Sequence, residues 1–188
     1  DDLHGFIEVH IEQGPVLEEA STPVGLVTGI RGNRRLPNAR CIGEYSHCGG
    51  VPRAHRRDAV AAVVELLAGL DAIWTEHDAA GQDFAFTVGK LFTDQTLHGL
   101  SKIAGSVEFS LDMRSVDNAV LDRMEIRIRR LADEIGLRRG VRFELGQFTQ
   151  ADCGVLTPAL IGDLRDGIEA LGVKAIELAS GASHDAAA

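Results

Sequence analysis

Hydrophobic positions recur along this chain in two rhythms. Val107, Phe109, Leu111 and Met113 alternate with Glu108, Ser110, Asp112 and Arg114, the period of two that turns one face of a strand to a core and the other to water. Val141, Phe143 and Leu145 alternate with Arg142 and Glu144 in the same way, residues 84–92 predict a third strand, and residues 35–45 a weaker fourth. Steps of three and four appear at Val60, Val63, Leu67, Leu70 and Trp74, with Arg57, Glu65 and Asp71 off the stripe, and predict an amphipathic helix. A second helix follows from Val120, Met124, Ile128, Leu131 and Ile135, with Arg123, Arg127, Arg130, Asp133 and Glu134 on the wet side and Gly136 and Gly140 as stop signals. Strand, helix, strand, strand, helix, strand is the split βαβ order of ferredoxin-like α+β domains, in which both helices cover one sheet face and the other stays open.

The flanks follow another logic. Residues 5–11 predict a buried strand or its end. Residues 157–171 predict a helix with Thr157 as cap, Pro158 in its first turn and Gly172 past its end, and residues 173–178 a short strand running into Ser180-Gly181-Ala182-Ser183-His184-Asp185. Each flank is too short to bury a core, so residues 1–28 and 151–188 are expected to belong to one domain, with residues 29–150 as a self-contained insert.

Composition narrows the classes. Apolar residues make up 45% of the 188 and charged ones 25%, an ordinary globular balance. The net charge of −9 argues against a general nucleic-acid or anionic-membrane surface. The most apolar stretch, 59–74, is interrupted by Glu65 and Asp71 and falls short of the ~20 residues a membrane span needs. Cys41, Cys48 and Cys153 match neither a CxxC zinc pattern nor a disulfide framework, which points to a reducing, cytoplasmic setting. The chain opens on Asp1-Asp2 with no Met and no apolar leader, so it is expected to be part of a longer protein with no signal peptide in this stretch.

Four constellations could carry chemistry, and each also has a plain structural reading. His10 stands at the end of the first strand. His184 lies in a small-residue loop where the backbone can approach a site closely and Asp185 could orient the imidazole. His47, in Ser46-His47-Cys48-Gly49-Gly50 before Arg56-Arg57, joins an imidazole to two guanidiniums in a glycine-rich loop suited to an oxyanion. Arg114, on the polar side of its strand, could grip a carboxylate through two parallel bonds or pair with Asp112. His4, His55, His77 and His98 lie in no comparable context and read as surface residues.

In chain order these segments say more than each does singly. Residues 8–18 (EVHIEQGPVLE), 45–52 (YSHCGGVP) with Arg56-Arg57-Asp58-Ala59, 109–114 (FSLDMR) and 180–186 (SGASHDA) strongly resemble the hydantoinase/carbamoylase amidases, binuclear metallo-amidohydrolases of the M20 peptidase superfamily. The resemblance implies a ferredoxin-like lid and dimerisation domain inserted in part of an α/β metallopeptidase-type catalytic domain. It implies that His10 ligates one of two divalent ions (Zn, Mn, Co or Ni) and His184 the other, and that Gln13 positions substrate. It further implies that His47 polarises the scissile carbonyl in a neighbouring subunit of a homodimer, while Arg114 binds the carboxylate of a ureide or amide substrate. Ser101 stands where the family usually has Asn, Cys48 replaces a usual Ala and Ser183 a usual Gly. The remaining ligands and the general-base Glu precede the segments present here, so this piece alone is expected to be inactive. The other class that fits is a non-catalytic ferredoxin-like dimerisation or ligand-binding module.

Overall fold

The computed structural model describes residues 5–182 and 184–187; His4 and Ser183 lie outside them. In chain order the elements are α1 (Val16–Glu19), β1 (Val24–Ile30), β2 (Gly32–Ile42), β3 (Ser46–His47), α2 (Ala59–Ala79), β4 (Ala85–Thr87) and β5 (Leu91–Thr93). They continue with β6 (Lys102–Ile103), β7 (Ser106–Ser115), α3 (Asn118–Arg139), β8 (Arg142–Glu144), β9 (Thr149–Ala151), α4 (Pro158–Ala170) and β10 (Ala175–Ser180). Two compact units result. One comprises the described residues up to Gly32, Val116–Asn118 and those from Ala151 onward; the other is Asn33–Ser115 with Ala119–Gln150.

The second unit is a mixed α+β structure built on a sheet of strand order β4-β7-β2-β8, with β5 also on β7 and β9 on β2. The alternation along β7 is realised: Val107, Phe109, Leu111 and Met113 are buried while Glu108 is exposed and Ser110, Asp112 and Arg114 are half-buried. Phe109 meets Phe143 edge-on at 6.5 Å. On α3, Val120, Met124, Ile128 and Ile135 are buried as the periodicity predicts. Leu131 is only half-buried and packs where a Cβ on Gly69 would come within 2.7 Å, so glycine there lets α2 and α3 approach closely. Arg34, buried on β2, bonds Asp122 of α3 at 2.8 Å, tying sheet to helix through a charge that would be costly to leave unpaired.

Several expectations are corrected. The buried stripe of α2 is Ala59, Ala62, Val63, Leu66, Leu70, Ile73 and His77, rotated from the one predicted, and Val60 is 39% exposed. Alanines 59 and 62 face inward because small side chains bring the helix close to its neighbours. Asp58, accepting from the Ala61 N–H at 3.0 Å, caps the helix. His77 is buried, its ring 5.0 Å from that of Phe84, and is not a surface residue. Gly136 does not stop α3 but lies within it, where a Cβ would meet the Val141 carbonyl at 2.9 Å; Gly140, at φ +64, supplies the stop. The strand predicted over 84–92 is two short strands, β4 and β5, each antiparallel to β7.

In the first unit β1 pairs in parallel with β10, with a register shift between Val27 and Gly29, and Ile30 bridges to Gly154. Leu26 and Ile30 are its fully buried large apolar side chains among the described residues. Thr157 stands at the cap position of α4, though its side chain makes no capping bond, and Gly172 at φ +65 follows the helix. Residues 5–11 are not a buried strand: they are unpaired in any sheet, and Phe6, Ile7, Val9 and Ile11 are 58–96% exposed. No helix among the described residues is long and apolar enough to cross a membrane.

Candidate metal centre and its flanking residues

The first unit brings together residues from both ends of the chain. Glu8 and His10 lie two residues apart in the unpaired segment ahead of α1. The β1–β10 pairing carries the chain to Ser180, from which a short loop delivers His184. The His10 and His184 rings meet edge-on with centroids 4.4 Å apart, and ligand atoms of Glu8, His10 and His184 all lie within 4.8 Å of one another. Glu8 Oε1 is 3.6 Å from His184 Nδ1, while Glu8 Oε2 accepts the Ala186 N–H at 3.1 Å.

A hydrogen bond assigns the His10 tautomer. His10 Nδ1 faces the Ile11 carbonyl at 2.6 Å; a carbonyl can only accept, so the proton is on Nδ1 and Nε2 carries the lone pair. Ser180 Oγ contacts His184 Nε2 and lies 3.4 Å from the Ala182 carbonyl. His184 Nδ1 is a buried nitrogen with no hydrogen-bond partner among the described residues, facing the Glu8 carboxylate. Two imidazoles and a carboxylate brought together in this way are donor types that suit a divalent cation, with His10 Nδ1 against a carbonyl and His184 Nε2 against a hydroxyl. Ser180 and Glu8, rather than the adjacent Asp185, are the partners of His184. Reasoning from the sequence missed Glu8, although its spacing of two from His10 was the available signal.

Side-chain hydrogen bonds cap the turn that follows. Both Glu12 carboxylate oxygens accept helix N–H groups, from Val16 and Leu17, each at 2.8 Å. A Cβ on Gly14 would meet Glu12 Oε1 at 2.9 Å, so glycine is needed for this cap to form. Gln13, at φ 58, is exposed between them.

The second unit holds the other two candidates, in separate places. His47 stands on β3, paired with Lys102 of β6, and the Cys48 N–H donates to the Ser101 carbonyl at 2.9 Å. Its Nδ1 accepts from the Gly49 N–H at 3.2 Å, so in the neutral ring the proton is on Nε2, an exposed donor. Arg56, expected to help hold an anion, bonds the Val51 carbonyl at 2.9 Å and the Cys48 carbonyl, and so clamps the loop; Arg57 pairs with Glu44 at 3.5 Å. Arg114 lies on β7, bonded to Asp112 and lining a cavity of about 690 Å³ on the sheet. No disulfide joins the three cysteines, and burial pushes the Cys41 thiol up to about 12, so it stays protonated.

No family model matches the chain. Over 98% of its length it is 32% identical to the N-carbamoyl-L-amino-acid amidohydrolase of Paenarthrobacter aurescens, and over the same share 29% identical to the allantoate amidohydrolase of Bacillus subtilis, covering 43% of each. A crystal structure of a hydantoinase/carbamoylase family amidase from Burkholderia ambifaria superposes with a TM-score of 0.86 over 95% of this chain and 42% of that one, at 31% identity. The sequence and the fold are thus similar to those of a class of amidohydrolases. In sequence and structure the chain is similar to hydantoinase/carbamoylase amidases, and it spans a little over two fifths of the length of these relatives.

Proposed function

We propose that the protein containing this chain is a dinuclear metal amidohydrolase cleaving a linear C–N bond of an N-carbamoyl amino acid or an allantoate-like ureide. The observation that carries this reading is the convergence of Glu8, His10 and His184 in a chain similar to amidohydrolases of those substrates. A divalent ion held there, Zn or Mn, Co or Ni, would supply Lewis acidity toward the carbonyl oxygen. His10 and His184 serve as ligands to the two ions, and the remaining ligands and general base come from outside the residues present here.

The other residues bind and orient. Arg114 takes the substrate carboxylate, Gln13 positions the substrate through its amide, and His47 donates its Nε2 proton as a hydrogen bond to the oxygen on which charge builds. In this reading residues 29–150 form the lid through which a homodimer assembles, and His47 acts in the neighbouring subunit of this cytoplasmic enzyme. Arg114→Ala in the full-length protein tests the assignment. Two charge-assisted bonds worth together about 1.5–3 kcal/mol predict a rise in KM for carboxylate substrates of roughly ten- to hundredfold. An unchanged KM removes Arg114 from the site.

A further inference from the structure

Asp112 is gripped from two strands. Arg114, two residues along β7 and on the same face, donates Nε to Oδ1 at 3.2 Å and Nη2 to Oδ2 at 3.1 Å. From neighbouring β2, Arg35 donates Nε to Oδ2 at 2.9 Å. Asp112 and Arg114 are both roughly 70% buried, and all three side chains line the same cavity, beside Leu36 and Phe86.

A salt bridge of this kind is usually read as an alternative to ligand binding. The geometry here makes it a precondition. An arginine on its own samples many rotamers, and ordering it when a ligand arrives weakens binding. A carboxylate that holds Nε and one Nη together fixes the guanidinium plane as well as its position, because both bonds require coplanarity. A carboxylate free to move could not do this, and Arg35 supplies the restraint from a second strand.

We propose that Asp112 is a positioning residue that presets the Arg114 guanidinium for the substrate carboxylate, with Arg35 anchoring Asp112 from β2. The inference rests on Arg114 as the carboxylate ligand, so the experiment separates the two. In the full-length enzyme, Asp112→Asn, Arg35→Ala, Arg114→Ala and the double variant Asp112→Asn/Arg114→Ala are compared on an N-carbamoyl amino acid and its neutral carboxamide. The carboxamide serves as a competitive inhibitor where it is not turned over.

Asp112→Asn keeps the side-chain volume and turns an N–H toward the guanidinium. It raises KM for the carboxylate about ten- to thirtyfold, with kcat within twofold and carboxamide affinity within twofold. Arg35→Ala acts in the same direction and more weakly. The double variant is no worse than Arg114→Ala alone, since residues acting through one another are not additive. Equal loss for both ligands, an unchanged KM, or multiplying effects in the double variant overturns the proposal. If Arg114→Ala itself fails to distinguish carboxylate from carboxamide, the carboxylate assignment falls, and this inference with it. Should Asp112→Asn not fold, Arg35→Ala carries the same comparison, and loss of carboxylate selectivity is again the result required.

Discussion

Alanine in place of Gly43 should destabilise the second unit far more than one added methyl suggests, and the same change at Gly167 should do the reverse. A Cβ on Gly43 would stand 2.0 Å from the Arg57 carbonyl oxygen and 2.9 Å from its carbon, both backbone atoms. Three hydrogen bonds meet there: Gly43 N–H to Gly105 O at 2.8 Å, Glu44 N–H to Arg57 O at 2.9 Å, and Ala59 N–H to Ala104 O at 3.0 Å. Prising residues 43 and 57 apart strains all three, and at about 1 kcal/mol net each the loss is ~2–4 kcal/mol. For a unit of this size, near 4 °C per kcal/mol, the melting temperature falls by roughly 8–16 °C. Gly167, exposed within α4 with nothing within 4 Å of an added Cβ, should gain about 0.5–1 kcal/mol from helix propensity. Both changes restrict the unfolded chain alike, so the difference between them reports native contacts. Scanning calorimetry measures it, and a fall under about 2 °C for Gly43→Ala, or comparable losses at both sites, refutes the reasoning.

Three further outcomes are expected. His184→Ala should lower zinc affinity of the chain at least tenfold by equilibrium dialysis, while His98→Ala, hydrogen-bonded to Thr93 in the second unit, leaves it unchanged. The 188-residue chain with metal added should show no turnover of N-carbamoyl amino acids or allantoate, and any turnover above background counts against the missing-ligand argument. Hydrogen bonds from Arg138, then Arg139, hold the Glu65 carboxyl below its usual 4.5. A lowered folded pKa contributes stability present above the unfolded value and lost as pH falls through the folded one. The excess thermal stability of the unmodified chain over Glu65→Gln should therefore shrink between pH 6 and pH 3, and a constant difference would exclude that pair as its source.

What could be read from the sequence depended on how local the cause was. The β7 alternation and most of the α3 stripe are set by side chains within one element and were legible. The inward face of α2 was misjudged because its first contacts are made by Ala59 and Ala62, which a search for large apolar residues passes over. β1 escaped notice because Gly25 and Gly29 dilute a strand whose pairing is decided by β10, far along the chain. At the site, His10 and His184 were found through ordered motifs, and Glu8 could have been added by counting two residues back. The grip of Arg35 on Asp112 depends on which strand lies beside β7, a fact of topology that no local pattern contains.

The parallel pairing of β1 with β10 has a kinetic consequence. The strands are separated by almost the whole described chain, and closing a loop of that length costs about 4–5 kcal/mol of chain entropy if the intervening residues are unstructured. Prior collapse of residues 33–150 around Phe109, buried in the folded unit, would shorten the effective loop. Pairing of β1 with β10, and with it the approach of His10 to His184, is therefore expected late in folding, an order that pulse-labelled hydrogen exchange can read as protection reaching β7 before β1.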